Sequence, residues 1–261
     1  MTEKACVLLI GHGSRLPFNE EMVDLHAGML KKKGYAVYIG FNEMSSPLIE
    51  DSMRSISRDG FDKIIALPLF VASGRHTIED IPDKLGIPRG YGSFVSTKYG
   101  RKITVCYGEP FGDDPGVTQV LLQKIDDIGS SGSTGVLLIA HGSPMKYNSE
   151  LVIRTSDRLK ASGVKNVFVG FNEYDEPNIE DTYEEMIGKG FEKIIVLPMF
   201  LASGAHIGEE IPEKLGIPGG SRKGIVNKGN RSFEVILAEP LGLNPRMNDI
   251  LVKKIESSLS S

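Results

Sequence analysis

The chain has 261 residues, 40% hydrophobic and 25% charged, enough apolar material for the cores of two ordinary domains. Its formal net charge of −4 argues against a dedicated nucleic-acid binder, which needs a basic face to neutralise phosphates. No apolar run approaches the roughly 18 residues of a membrane span, and the polar start, Met1 to Lys4, leads into too short a run for a signal segment, so the expectation is a soluble, cytoplasmic protein.

The predicted elements alternate. Residues 5–10 form a continuous apolar run, the pattern of a parallel strand buried on both faces. A helical stretch follows over 19–33 and stops at Gly34. Residues 36–41 read as a second strand. Pro47 opens a helix through 58, with Glu50 and Asp51 in its first turn, where the helix dipole favours them, and Gly60 ends it. Residues 63–70 are a third strand, β-branched and apolar. A short helix is expected over 78–85, a fourth strand over 102–107 and a closing helix over 117–128. The two cysteines, Cys6 and Cys106, fall inside strand-like runs and read as buried structural thiols.

The same text is then written again. Gly40-Phe41-Asn42-Glu43 recurs as Gly170-Phe171-Asn172-Glu173, and Ala72-Ser73-Gly74 with His76 recurs as Ala202-Ser203-Gly204 with His206. Residues 40–88 and 170–218 share 28 identities in 49 positions, which chance cannot produce. His12-Gly13-Ser14 matches His141-Gly142-Ser143. A Gly/Ser-rich stretch, 129–135, joins the copies and places the domain boundary at 130/131, giving modules 1–130 and 131–261. The fold class is α/β: two tandem duplicated modules, each a mainly parallel four-stranded sheet with helices on both faces.

In open α/β sheets ligands bind beyond the carboxyl ends of the strands. The first strand is followed by His12, the second ends on Glu43, and His76 follows the third. Copy two places His141, Glu173 and His206 in the same way. Four of the five histidines occupy these repeated strand ends. The fifth, His26, reads as a surface helix residue. Neutral imidazole suits borderline divalent metals, and a carboxylate can complete the site or accept a proton. Two His and one Glu, with positions left open, suit a site that passes a metal on, whereas a storage site would be closed by four protein ligands. A lone histidine at a strand end is ordinarily structural; it is the repetition that favours the metal. Ser14 and Ser143 fit a turn or cap role, since no Gly-x-Ser-x-Gly surrounds them, and the glycines beside His12 allow either close approach of a flat ligand or a tight turn. No dinucleotide fingerprint or Walker lysine is present, which weakens a phosphate-handling hydrolase. Two basic stretches, Arg89/Lys98/Arg101/Lys102 and Arg222/Lys223/Lys228/Arg231, are solvated loops or a rim that attracts a polycarboxylate.

Taken together, His12-Gly13-Ser14, the strand ending in Phe41-Asn42-Glu43, and Leu67-Pro68-Leu69-Phe70 followed by Gly74, His76 and Asp80-Ile81-Pro82 resemble the class II tetrapyrrole chelatases of the CbiX type. Copy two carries the last motif as Leu197-Pro198-Met199-Phe200, Gly204, His206 and Glu210-Ile211-Pro212. The resemblance spans nearly the whole chain and implies a long form, two modules fused around one cleft, acting as a monomer that is an internal pseudo-dimer. It implies insertion of Co2+, or Fe2+ or Ni2+, into sirohydrochlorin or a related tetrapyrrole, with no nucleotide and no cofactor beyond the substrate metal ion. It assigns catalysis to His12, His76 and Glu43, and metal ligation to His12, His76, His141, His206 and Glu173. A non-catalytic metal or tetrapyrrole carrier is the competing reading. The copies differ at Arg15/Pro144, Arg75/Ala205 and Asp80/Glu210, which leaves copy one nearer the family pattern and favours it as the main catalytic site. Relatives often carry an apolar residue between the Phe and the Glu, where this chain has Asn42 and Asn172.

Overall fold

The computed structural model describes residues 4–144, 147–204, 206–218 and 220–260. In the first module β1 (Ala5–Gly11), β2 (Val37–Phe41), β3 (Lys63–Pro68), β4 (Gly92–Ser96) and β5 (Ile103–Tyr107) form one sheet in the order β2-β1-β3-β5-β4. All neighbours are parallel except β4, which runs antiparallel to β5. Register pairs Val7 with both Val37 and Ile65, so β1 is the central ribbon. Its side chains alternate between two covered faces. Cys6, Leu8 and Ile10 pack with Ile49, Met53 and Ile56 of α2 (Ile49–Arg58) and with Ile81 and Leu85 of α3 (Ile81–Leu85). Val7 and Leu9 face the other way, where α1 (Phe18–Lys32) buries Met22, Val23 and Leu30. Each such aliphatic side chain contributes about 1.5–3 kcal/mol when fully removed from water.

The second module repeats this with β6 (Thr134–Ala140), β7 (Val167–Phe171), β8 (Lys193–Pro198), β9 (Lys223–Lys228) and β10 (Arg231–Leu237), in the order β7-β6-β8-β10-β9. Its helices are α5 (Tyr147–Ala161), α6 (Ile179–Lys189) and α7 (Ile211–Lys214). Each sheet therefore has five strands where the sequence suggests four. The additional ones, β4 and β9, are edge strands with mostly exposed side chains, so they carry no apolar run to betray them.

The repeat and the compact units divide the chain differently. One unit comprises Met1–Gly112 and Pro245–Ser261, the other Asp113–Asn244. Relative to the 1–130 and 131–261 halves, the closing helices are exchanged. Helix α4 (Pro115–Ile128) packs on β8 and α5, and α8 (Met247–Leu259) packs on β3 and α1. Asp113, just before α4, accepts hydrogen bonds from Arg154 of α5 at 2.8 and 3.2 Å, and these hold its carboxyl below the usual range.

The exchange corrects the reading of His26. It is fully buried, and Asn248 of α8 donates to its backbone carbonyl at 3.1 Å. Cys6 is buried, and burial pushes its thiol up to about 12. Cys106 is only half-buried, because alternate residues of β5 face away from the core cluster; both thiols are free. No helix of the described residues is long and apolar enough to cross a membrane.

Candidate metal centre

The two histidines and the glutamate of copy one meet at the carboxyl ends of β1, β2 and β3. One ligand atom from each of His12, Glu43 and His76 lies within 4.8 Å of the others, and His141, Glu173 and His206 form the same group in copy two. The imidazoles of His12 and His76 are edge to face, with ring centroids 4.6 Å apart and planes at 82°; the copy-two pair stands at 4.9 Å and 86°. The three copy-one side chains are 38–42% exposed, so the site is open to an incoming partner.

Local chemistry fixes which nitrogen is free. His12 Nδ1 lies 3.0 Å from the Gly13 carbonyl and His76 Nδ1 lies 2.7 Å from Asp80 Oδ2. Carbonyls and carboxylates only accept, so both Nδ1 atoms carry the proton and both Nε2 lone pairs remain for a metal. In copy two His141 Nδ1 lies 3.3 Å from the Gly142 carbonyl and His206 Nδ1 lies 2.5 Å from Glu210 Oε2. Asp80 and Glu210 follow their histidines by four residues, the spacing that sets side chains on one helical face. The turn between them is π-helical in both copies, His76–Asp80 and His206–Glu210, a feature that frequently accompanies functional sites.

Glu43 is placed by the histidine loop. Its N–H donates to the His12 carbonyl at 3.0 Å, and Glu173 does the same to His141 at 2.8 Å. A Cβ on Gly13 would stand 1.6 Å from the Glu43 carbonyl oxygen, and one on Gly142 would stand 1.9 Å from that of Glu173. Both glycines also have positive φ, 90° and 83°. The glycine after each histidine thus serves the turn that seats the glutamate. Ser14 is a turn residue too: its Oγ accepts from the Leu16 N–H at 3.0 Å, and its own N–H donates to Ser45 Oγ at 3.1 Å. In copy two Ser143 N–H donates to Asp175 Oδ2 at 2.9 Å.

The sequence reading missed a polar layer behind the histidines. Asn42 is 2% exposed, with its amide 3.2 Å from His76 Nδ1. Asn172 donates to Glu210 at 3.0 Å and accepts from Lys214 at 3.0 Å. The hydrogen bond from His206 is the main cause that holds the Glu210 carboxyl down, to about 2, with further help from Asn172 and Lys214. The signal was the polar residue inside an otherwise apolar strand end, Phe-Asn-Glu. Of the residues that distinguish the copies, Arg15 and Pro144 are exposed and Arg75 lies 3.9 Å from Asp80 Oδ1, while Ala205 is outside the described residues. The basic stretches are largely engaged within their own units. Arg89 pairs with Glu79, Arg101 with Asp62, Arg222 with Glu239 and Lys228 with Glu184, and Lys98 donates to the Asp83 carbonyl. That favours the solvated-loop reading over a free cationic rim.

Comparison with known proteins places the chain in a family. The CbiX family profile matches residues 6–128 and again 135–258. A sirohydrochlorin cobaltochelatase from Methanosarcina acetivorans is 35% identical over 129 residues, 49% of this chain and 98% of its own length, so one relative corresponds to one module. Among solved structures, SirB from Bacillus subtilis with Fe3+ superposes with a TM-score of 0.76 at 21% identity, covering 97% of this chain and 94% of that one. CbiX, described as the terminal enzyme for siroheme biosynthesis in denitrifying bacteria, superposes with a TM-score of 0.63 at 20% identity, covering 98% and 99%. At those identities the two structures speak for the fold, and the profile and the relative for the family. The chain belongs to the CbiX family of metal chelatases and carries the family module twice.

Proposed function

We propose that the chain inserts a divalent metal ion, Co2+ foremost and Fe2+ or Ni2+ as alternatives, into sirohydrochlorin or a related tetrapyrrole, releasing two protons. The observation that carries this is the cluster of two imidazoles and a carboxylate at an open strand-end rim, with both Nδ1 atoms held and no hydrogen-bond partner for either Nε2 among the described residues. The name of the Methanosarcina acetivorans relative, a sirohydrochlorin cobaltochelatase, supports the choice of macrocycle.

The metal ion is a substrate. His12 and His76 offer it two neutral nitrogens and Glu43 one negative oxygen, which leaves coordination positions for the macrocycle nitrogens. Three ligands hold the ion weakly enough to surrender it. As the ring nitrogens replace the protein ligands, two pyrrole N–H protons must leave, and the dication that arrives balances their charge. Glu43, half-exposed beside His12, is one proton acceptor, and the released imidazoles are the other. Asp80 keeps His76 in the tautomer that presents Nε2. We place the main catalytic site in copy one and give His141, Glu173 and His206 a metal-binding role. The protein would work as a cytoplasmic monomer with no cofactor beyond the substrate ion.

The test is direct. Purified protein is mixed with sirohydrochlorin and Co2+ or Fe2+, and the change in the tetrapyrrole absorbance is followed. An insertion rate no greater than the spontaneous one sinks the proposal.

A further inference from the structure

One residue on each rim has no part in the chemistry above. Met44 follows Glu43 and Tyr174 follows Glu173, at matching positions of the two copies. Both have left-handed backbone, with φ of 61° and 59°. Across each, the amide of the next residue donates back to the glutamate carbonyl, Ser45 to Glu43 at 2.6 Å and Asp175 to Glu173 at 2.7 Å. A three-residue turn closed in this way with positive φ is the rare, strained γ-turn. Any side chain there clashes in a manner that glycine avoids.

The turn itself has a purpose, since it presses the Glu43 carbonyl against Gly13 and seats the glutamate. Glycine at position 44 would serve that purpose better. Instead the position carries a large apolar side chain, and so does its counterpart. Neither recovers the strain by burial, for Met44 is 64% exposed and Tyr174 is 67% exposed. A strained and largely exposed apolar side chain stands at this position in both copies, open to an apolar partner.

Position identifies what arrives. Each side chain adjoins the glutamate of a metal cluster. The Tyr174 ring lies 5.9 Å from the His141 ring and only 20° from parallel to it, so it presents a flat face beside a metal-binding imidazole. We infer that Met44 and Tyr174 are substrate-contact residues that seat the flat apolar face of the macrocycle against the metal cluster. Tyr174 does so by stacking, and Met44 by the adaptable packing of its thioether. This rests on the reading that the substrate is a tetrapyrrole.

The experiment is a titration of the full-length, metal-free protein with sirohydrochlorin, read by absorbance, for the unchanged protein and for Met44→Gly combined with Tyr174→Gly. Glycine suits the turn, so this variant keeps a thermal midpoint at or above that of the unchanged protein and binds Co2+ alone with about the same affinity. Its Kd for the macrocycle rises severalfold, to about tenfold, as the loss of one such contact at each rim implies. Met44→Leu combined with Tyr174→Phe, which keeps apolar surface on the same backbone, restores tight binding. Equal macrocycle affinity in the glycine variant and the unchanged protein overturns the inference. Failure of the unchanged protein to bind the macrocycle at all brings down the tetrapyrrole reading, and this inference with it.

Discussion

Around His76 and around His206 the same arrangement is braced by different wiring. In copy one the short carboxylate of Asp80 accepts from His76, while Lys84 donates to the backbone carbonyl of Asn42. The side-chain oxygen of Asn42 is then left buried without a hydrogen-bond partner, so the layer behind His76 is incompletely tied. In copy two Glu210 is one methylene longer and accepts at once from His206, Asn172 and Lys214, the last of these also bound to Glu180. A carboxylate shared among three donors pulls less on any one of them. The His206–Glu210 contact is nonetheless the shorter of the two, 2.5 Å against 2.7 Å for His76–Asp80. Identical ligands with different supports need not do identical work, which is why repetition of the triad is no argument for two equal active sites.

The comparison can be broken most easily at the ligands. His76→Ala should cut the metal-insertion rate by about 100-fold or more, because even the outer partners of a ligating histidine are worth about 10–100-fold. His206→Ala should cost less than about tenfold on the same scale. Equal losses in the absorbance assay would erase the asymmetry.

Gly13→Ala and Gly142→Ala probe the turns that seat the glutamates. Each adds a Cβ that would collide with a carbonyl oxygen and forces a side chain onto left-handed backbone, for a loss of about 2 kcal/mol or more. Denaturant melts should show similar destabilisation for both, whereas activity should collapse only with Gly13→Ala. Next in size is the support of the imidazole. Asp80→Asn should weaken Co2+ binding in the absence of tetrapyrrole by about 10–100-fold. Glu210→Gln should matter less, since Asn172 and Lys214 remain to hold the replacement amide. A larger effect at Glu210 would reverse the ranking of the copies.

The smallest effect is one of pH. The Glu210 carboxyl is held below its ordinary 4.5, at about 2, so its ionised partnership stabilises the fold above pH 4.5 and is lost as pH falls toward 2. The stability difference between the unchanged protein and Glu210→Gln should therefore shrink across that window, by a modest amount because the group is 39% exposed and screened by water. A difference that stays constant from pH 5 to pH 2 would show that the pairing is not felt.

Read by itself, the sequence determined the duplication, the parallel strands and the rim on which His12, Glu43 and His76 gather. Those properties are local or periodic: a strand buried on both faces must be apolar throughout, and parallel strands bring their carboxyl ends to one edge. What the tertiary structure decided is non-local. The edge strands β4 and β9 are defined by pairing with a neighbour and not by burial, so no apolar run marks them. His26 looked like a surface residue because the helix that covers it, α8, lies 222 positions further on at Asn248. The same exchange of closing helices is invisible to a repeat, which records ancestry of the segment and not which sheet it packs against. The polar layer of Asn42, Asp80 and Lys84, and the γ-turns that hold out Met44 and Tyr174, likewise depend on which distant atoms meet, and only the folded chain brings those atoms together.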